Sequence, residues 1–188
     1  PALPTATSVP MQRARPGRLE SSEGGLGLSF PTNWKLEDTS EELGTLAFLI
    51  NPNQTAYTVV YQSLRPSDRS LEEAAGSAHA QVYSWFQDAE LFNEEPYPLD
   101  DGTPAWRSEF EASVTGVPVY IMMVTAAQGT RLVTLVAYCA SAIYDYEYET
   151  MDSIARSMRL SPPRVAGVSR DEAIVTVGGE SSSPRSYD

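Results

Sequence analysis

The chain has 188 residues, 41% of them hydrophobic and 10% aromatic, enough for one domain with a core of its own. It carries 13 basic against 25 acidic residues, a formal net charge of −12, which makes nucleic acid and anionic lipid surfaces poor partners. A single Cys and a single His leave no basis for a structural zinc site, an internal disulfide, or any histidine triad that does not pass through His79.

Residues Pro1–Gly25 read as a linker. They carry Pro1, Pro4, Pro10 and Pro16 with Thr5, Thr7, Ser8, Ser21 and Ser22, and no apolar periodicity runs through them. Such a segment serves as a tether to a membrane or wall, or as a plain tail. Pro1 is not an initiator Met, so the expectation is that sequence precedes it.

The globular domain is expected over residues 26–161. Gly27–Pro31 predicts a short strand stopped by Pro31, then a turn at Thr32-Asn33 and an anchoring Trp34. Leu46, Phe48 and Ile50 alternate with Thr45, Ala47 and Leu49 in a strand that Asn51-Pro52-Asn53 ends. Tyr57, Val59 and Tyr61 continue in a second strand, and the two make a hairpin. Ser70 with Glu73 forms a capping box. The helix that follows sets Leu71, Ala75, Ala78, Val82, Trp85, Ala89 and Phe92 on one face. Its expected end is Phe92-Asn93, before Pro96 and Pro98.

Trp106, Ser108, Phe110, Ala112 and Val114 then alternate with Arg107, Glu109, Glu111 and Ser113, which predicts an antiparallel sheet with one wet face. Val117–Ala127 and Arg131–Cys139 are apolar on both faces and read as central strands. The longest apolar stretches are about 11 residues, against the ~20 that a membrane-spanning helix needs. A last helix carries Tyr144, Tyr148, Met151, Ile154, Ala155 and Met158 on one stripe and ends at Pro162-Pro163. This order predicts the α+β class, an antiparallel sheet of about six strands flanked by helices. Residues 162–188 read as a second linker and the start of a possible following domain, with a strand-like run at Ala173–Val177.

Few residues suggest chemistry. His79 lies beside the apolar stripe of the first helix. A catalytic His needs a nucleophile and an orienting acid, and the nearby Ser77 faces elsewhere on the helix, so a boundary or surface position is the plainer expectation. Cys139 ends an apolar strand and reads as a small buried hydrophobe. Glu94, Glu95, Asp100 and Asp101 could supply oxygen ligands to a hard cation such as Ca²⁺, with Asp100-Asp101-Gly102 a fragment of a calcium loop; a solvated acidic turn is the alternative. Asn53-Gln54-Thr55 matches a glycosylation sequon in the hairpin loop. Tyr146 cannot share the face of Tyr144 and Tyr148, so it is expected on the exposed side as a candidate protein-binding residue. No phosphate-binding loop or nucleophile elbow is present, and neither a catalytic residue nor a cofactor is assigned.

The motifs resemble a known family. Gly27-Leu-Ser-Phe-Pro-Thr-Asn-Trp34 is similar to the opening segment of PsbP-like domains, which share a fold with the MOG-type Ran-binding proteins. The Asn51-Pro52 hairpin turn, the helix opening Ser70-Leu-Glu-Glu73 and the closing run from Tyr148 to Arg159 follow in the same order. The resemblance spans about residues 26–161. It implies an α-β-α sandwich without a catalytic centre, in extracytoplasmic lipoproteins or thylakoid-lumen proteins that bind other proteins. No functional residue of the family carries over. The tail from Asp171 to Asp188 loosely resembles the first strand of oligopeptide-type extracellular solute-binding proteins.

The expected function is a non-enzymatic extracytoplasmic domain with a protein partner, held at the outer face of a bacterial membrane only through an upstream anchor. One alternative is the N-terminal accessory domain of a peptide-type transport protein. The other is an acid-dependent hydrolase, for which no carboxylate pair stands out.

Overall fold

A computed structural model describes residues 13–15, 17–21, 25–37, 44–65 and 68–162. Among these residues eleven strands and two α-helices follow in chain order. The strands are β1 (Arg13–Arg15), β2 (Arg18–Ser21), β3 (Leu26–Ser29), β4 (Lys35–Glu37), β5 (Thr45–Ile50), β6 (Ala56–Leu64), β7 (Glu90–Pro98), β8 (Pro104–Val114), β9 (Val117–Gln128), β10 (Arg131–Ala140) and β11 (Arg159–Leu160). Helix α1 is Leu71–Trp85, and α2 is Tyr144–Arg156, entered through a 3-10 turn at Ser141–Ile143.

Seven strands form one sheet in the order β4-β5-β6-β10-β9-β8-β7, and four form a smaller sheet, β1-β2-β3-β11. Every pairing is antiparallel. The long strands β8, β9 and β10 make a meander. Its first turn is Thr115-Gly116, where both residues have positive φ (51° and 81°), the twist a two-residue hairpin requires.

The alternating strand faces bury two cores. Leu49, Val60, Met122, Val124, Leu135 and Ala137 pack beneath α2, through Met151, Ile154 and Ala155, and join Leu19, Leu26 and Leu28 of the small sheet. Val82 and Phe86, from α1 and its C-terminal end, meet Phe110, Ile121, Met123 and Val136 on the opposite face. The α+β expectation therefore holds, as helix, sheet and helix in layers, and β9 and β10 are the doubly covered centre. Ser157 fastens the small sheet to α2: its Oγ accepts from the Ser29 amide (2.9 Å) and donates to the Ser29 carbonyl (3.0 Å).

The capping box forms as expected. Ser70 Oγ accepts from the Glu73 amide (3.1 Å), and the Glu73 carboxylate accepts from the Ser70 amide (2.8 Å). Ser70→Ala should lower stability by about 1 kcal/mol, read as a shift in urea midpoint at unchanged slope.

Four expectations need correction. The linker assigned to Pro1–Gly25 contains β1 and β2, and Leu19 is fully buried. A four-residue strand with one inward leucine leaves no period to read. Helix α1 ends at Trp85, not at Phe92-Asn93, because the backbone turns extended at Phe86 and a further strand, β7, begins at Glu90. That strand is bulged between Leu91 and Asn93, so its two-residue period breaks. Pro96 and Pro98 fit because β7 is an edge, where missing donors cost no ladder bond and discourage further pairing. Only part of the β8 face expected to be wet is so: α2 covers it at Arg107, half-buried, and Glu109, buried, while Glu111 stays exposed. Finally, α2 stops at Arg156, and β11 intervenes before Pro162-Pro163. The run Ala173–Val177 and the solute-binding resemblance lie outside the described residues.

Candidate functional site

His79 faces β8 from the middle of α1 and is buried. Its Nε2 lies 2.9 Å from Ser108 Oγ and 3.3 Å from Glu94 Oε1, and Ser108 Oγ donates to the same Glu94 oxygen at 3.2 Å. The ring stands edge-on to Phe110, with centroids 5.1 Å apart. A serine, a histidine and an acid thus meet, but not as a catalytic relay. Proton transfer needs the nucleophile on one ring nitrogen and the acid on the other, whereas Ser108 and Glu94 share Nε2. Ser108 is also 0% exposed, out of reach of a substrate. Ser77 instead bonds Arg69 and the Glu73 carbonyl.

Burial lowers the His79 pKa from its ordinary value, and Glu94 opposes that shift without cancelling it. The unfolded chain therefore takes up a proton more readily than the folded one. The stability linked to neutral His79 is complete above about pH 6.5 and is lost as pH falls through that value toward the folded pKa. Urea titrations from pH 7.5 to 5 should show this loss in the wild type and a smaller one in His79→Gln. Equal slopes would rule it out.

Cys139 is buried, and desolvation, aided by Glu147, pushes its thiol up to about 11. A thiol so protected holds almost no nucleophilic thiolate near neutrality. Glu147 is itself buried and accepts from Asn51 Nδ2 at 3.0 Å. Asn51 Oδ1 accepts from the Thr55 and Ala56 amides (2.8 and 3.2 Å). Asn51 thus closes the β5–β6 turn and pins it to α2, while Asn53 of the sequon stays exposed.

The four acidic candidates are not gathered. Glu94 and Glu95 are neighbours on β7 and so face opposite sides of the sheet. Glu94 joins His79, while Glu95 binds Arg107 under α2. Asp100 and Asp101 sit in the β7–β8 turn, where Asp101 Oδ1 accepts from the Thr103 amide (2.9 Å) and its pKa is lowered by that contact. Among the described residues, no cluster of three or more His, Cys, Asp or Glu is placed to hold a metal ion.

The largest polar network lies beneath α2. Arg107 donates to Tyr148 Oη (2.6 Å) and to Glu95, and its guanidinium lies 3.6 Å from both Glu109 and Asp152. Burial works against its charge, but Glu109, Tyr148 and Glu95 outweigh it and hold the guanidinium above its ordinary pKa. Tyr97 Oη donates to Asp152 (2.7 Å), and Tyr120 Oη donates to Glu109 (2.5 Å). Both phenols are raised, by burial first and by these carboxylates second.

From this network a ladder of rings runs outward. Tyr148 meets Tyr144 at 5.3 Å, Tyr144 meets Tyr120 at 3.9 Å, and Tyr120 meets Phe92 at 5.9 Å between centroids. Phe92 is the extra residue of the β7 bulge. It shares the α2 side with Asn93, whose Nδ2 donates to Glu109 at 2.7 Å. The ladder ends in solvent, with Phe92 54% exposed. Tyr146, 82% exposed, stands on the outer face of α2, away from the ladder. Sequence reasoning placed Phe92 on a helix and so missed it; a broken alternation next to paired prolines was the available signal.

Neither a family model nor a curated protein matches the sequence. Solved structures do match in fold. Cyanobacterial PsbP (CyanoP) from Synechocystis sp. PCC 6803 superposes with a TM-score of 0.63 at 18% identity, over 82% of this chain and 98% of that one. LpqN of Mycobacterium tuberculosis, a protein involved in cell envelope biogenesis, gives 0.57 at 16%, over 73% and 83%. The Saccharomyces cerevisiae Ran-binding protein Mog1p gives 0.54 at 11%, over 76% and 94%. The chain has the PsbP-like, MOG-type fold that these three proteins share.

Proposed function

We propose that this chain is a non-enzymatic, extracytoplasmic binding or accessory domain that meets a protein partner and is tethered to the outer face of a bacterial membrane through an upstream anchor. The observation that carries this reading is a contrast in exposure. The groups that could do chemistry, His79, Ser108 and Cys139, are sealed in the interior, while an aromatic ladder reaches the surface at Phe92. Exposed aromatics anchor protein interfaces because they bury large area with few rotamers to freeze. A similar fold in an envelope-biogenesis protein and in a Ran-binding protein agrees with such a role. Among the described residues no helix is long and apolar enough to cross a membrane. The acid-dependent alternative needs two carboxylates facing one cleft, and Glu94 and Glu95 diverge.

The test is protease accessibility in intact cells of the source organism, with the full-length gene product carrying a C-terminal tag. Digestion of the tagged protein while a cytoplasmic control survives is the expected result. Protection equal to the control would sink the extracytoplasmic assignment.

A further inference from the structure

Resting on the binding-domain reading, we propose that the end of the large sheet beyond the start of α2, built from Phe92, Tyr120, Glu90 and Glu111, docks a basic segment of a protein partner. Three observations converge there. Helix α2 begins at Tyr144, against Tyr120, and among the described residues no α-helix covers the sheet past that point on this side. The bulge of β7 turns Phe92 onto this same side, its ring against Tyr120 and more than half exposed. Glu90 and Glu111 are directly opposite each other on β7 and β8, and Glu111 is opposite Tyr120 on β9. Direct cross-strand partners share a face, so both carboxylates stand beside the aromatic pair, both exposed.

Like charges directly opposite each other destabilise a sheet. Glu90 and Glu111 form no ion pair among the described residues, whereas each of the deeper acids on this side, Glu95, Glu109 and Asp152, faces Arg107. An arginine or lysine from outside resolves the conflict. Its cationic head fits beside the two carboxylates and over the Phe92 ring face, a cation–π contact, while its apolar stem covers neighbouring sheet surface. Tyr120 and Glu109 hold the shelf rigid from beneath through their 2.5 Å hydrogen bond. The occupant is thus defined by charge and shape as a short peptide stretch bearing basic side chains.

The experiment titrates the purified chain with the peptide acetyl-Gly-Arg-Gly-Arg-Gly-amide, following amide chemical shifts, with the Glu-for-Arg peptide as control. Shifts should localise to Glu90–Asn93, Glu111 and Tyr120. Phe92→Ser and the pair Glu90→Gln, Glu111→Gln should each weaken binding about two- to tenfold, while Glu72→Gln, an exposed acid on α1, leaves it unchanged. The unfolding midpoint should fall only slightly in Phe92→Ser, which loses the Tyr120 contact, and rise in the glutamine pair. Shifts spread over the acidic surface, or equal weakening by Glu72→Gln, would overturn the proposal. So would a dimer of the free chain that Phe92→Ser abolishes, because the face would then serve a second copy. Localised peptide binding in a protein that proves cytoplasmic would strike the function proposed above and leave this docking chemistry standing.

Discussion

Arg107→Ala is expected to cost about 3–5 kcal/mol, because the guanidinium sits in the covered layer beneath α2. The guanidinium side chain is 12% exposed, and it lies against Glu95, Glu109 and Asp152. Removing it leaves the Glu109 carboxylate, 8% exposed, without its cation in a poorly solvated layer. Tyr148 Oη loses its donor as well. The cost is the desolvation of stranded acids rather than the worth of the pairs themselves, and this makes a second variant informative. Arg107→Leu combined with Glu109→Leu removes both buried charges and should recover most of the loss. Urea denaturation measures both. A loss below about 1 kcal/mol for the single variant would mean that solvent reaches this layer freely.

Leu19→Ala is expected to cost about 2–5 kcal/mol. Leu19 is fully buried and belongs to the same apolar cluster as Met151, Ile154 and Met158. Its strand, β2, pairs residue by residue with β3, from Arg18 opposite Ser29 to Ser21 opposite Leu26. A protein shortened to begin at Leu26 should therefore be less stable than the full chain by at least the leucine's share, since it also loses the β2–β3 ladder. Equal stability of the two would return this segment to a linker. Thermal and urea midpoints decide between them.

These two residues also show what could be read from sequence and what could not. The hairpin of β5 and β6, the capped start of α1 and the apolar strands β9 and β10 follow from local rules: alternation, a capping box, a pair of turn residues. The PsbP-like resemblance rested on the order of four short motifs: Gly27–Trp34, the Asn51-Pro52 turn, Ser70–Glu73 and the closing run from Tyr148 to Arg159. Leu19 escaped because one buried apolar side chain in a four-residue strand makes no pattern. Arg107 and Glu109 looked solvated because alternation tells which residues share a face, not what covers it; the cover is α2, far along the chain. The His79 cluster was equally hidden, its serine 29 positions away on another element. Phe92 was lost for a different reason, since the bulge that exposes it is also what erases the strand's period.

Phe92 is the proposed contact point for another protein. A photoreactive benzoylphenylalanine placed at position 92, in the full-length gene product expressed in the source organism, tests this most directly. A crosslink to one discrete protein is expected from position 92, diminished by Glu90→Gln with Glu111→Gln, and absent when the probe stands at Glu72. Crosslinks that are missing at position 92, or the same at both positions, would contradict it.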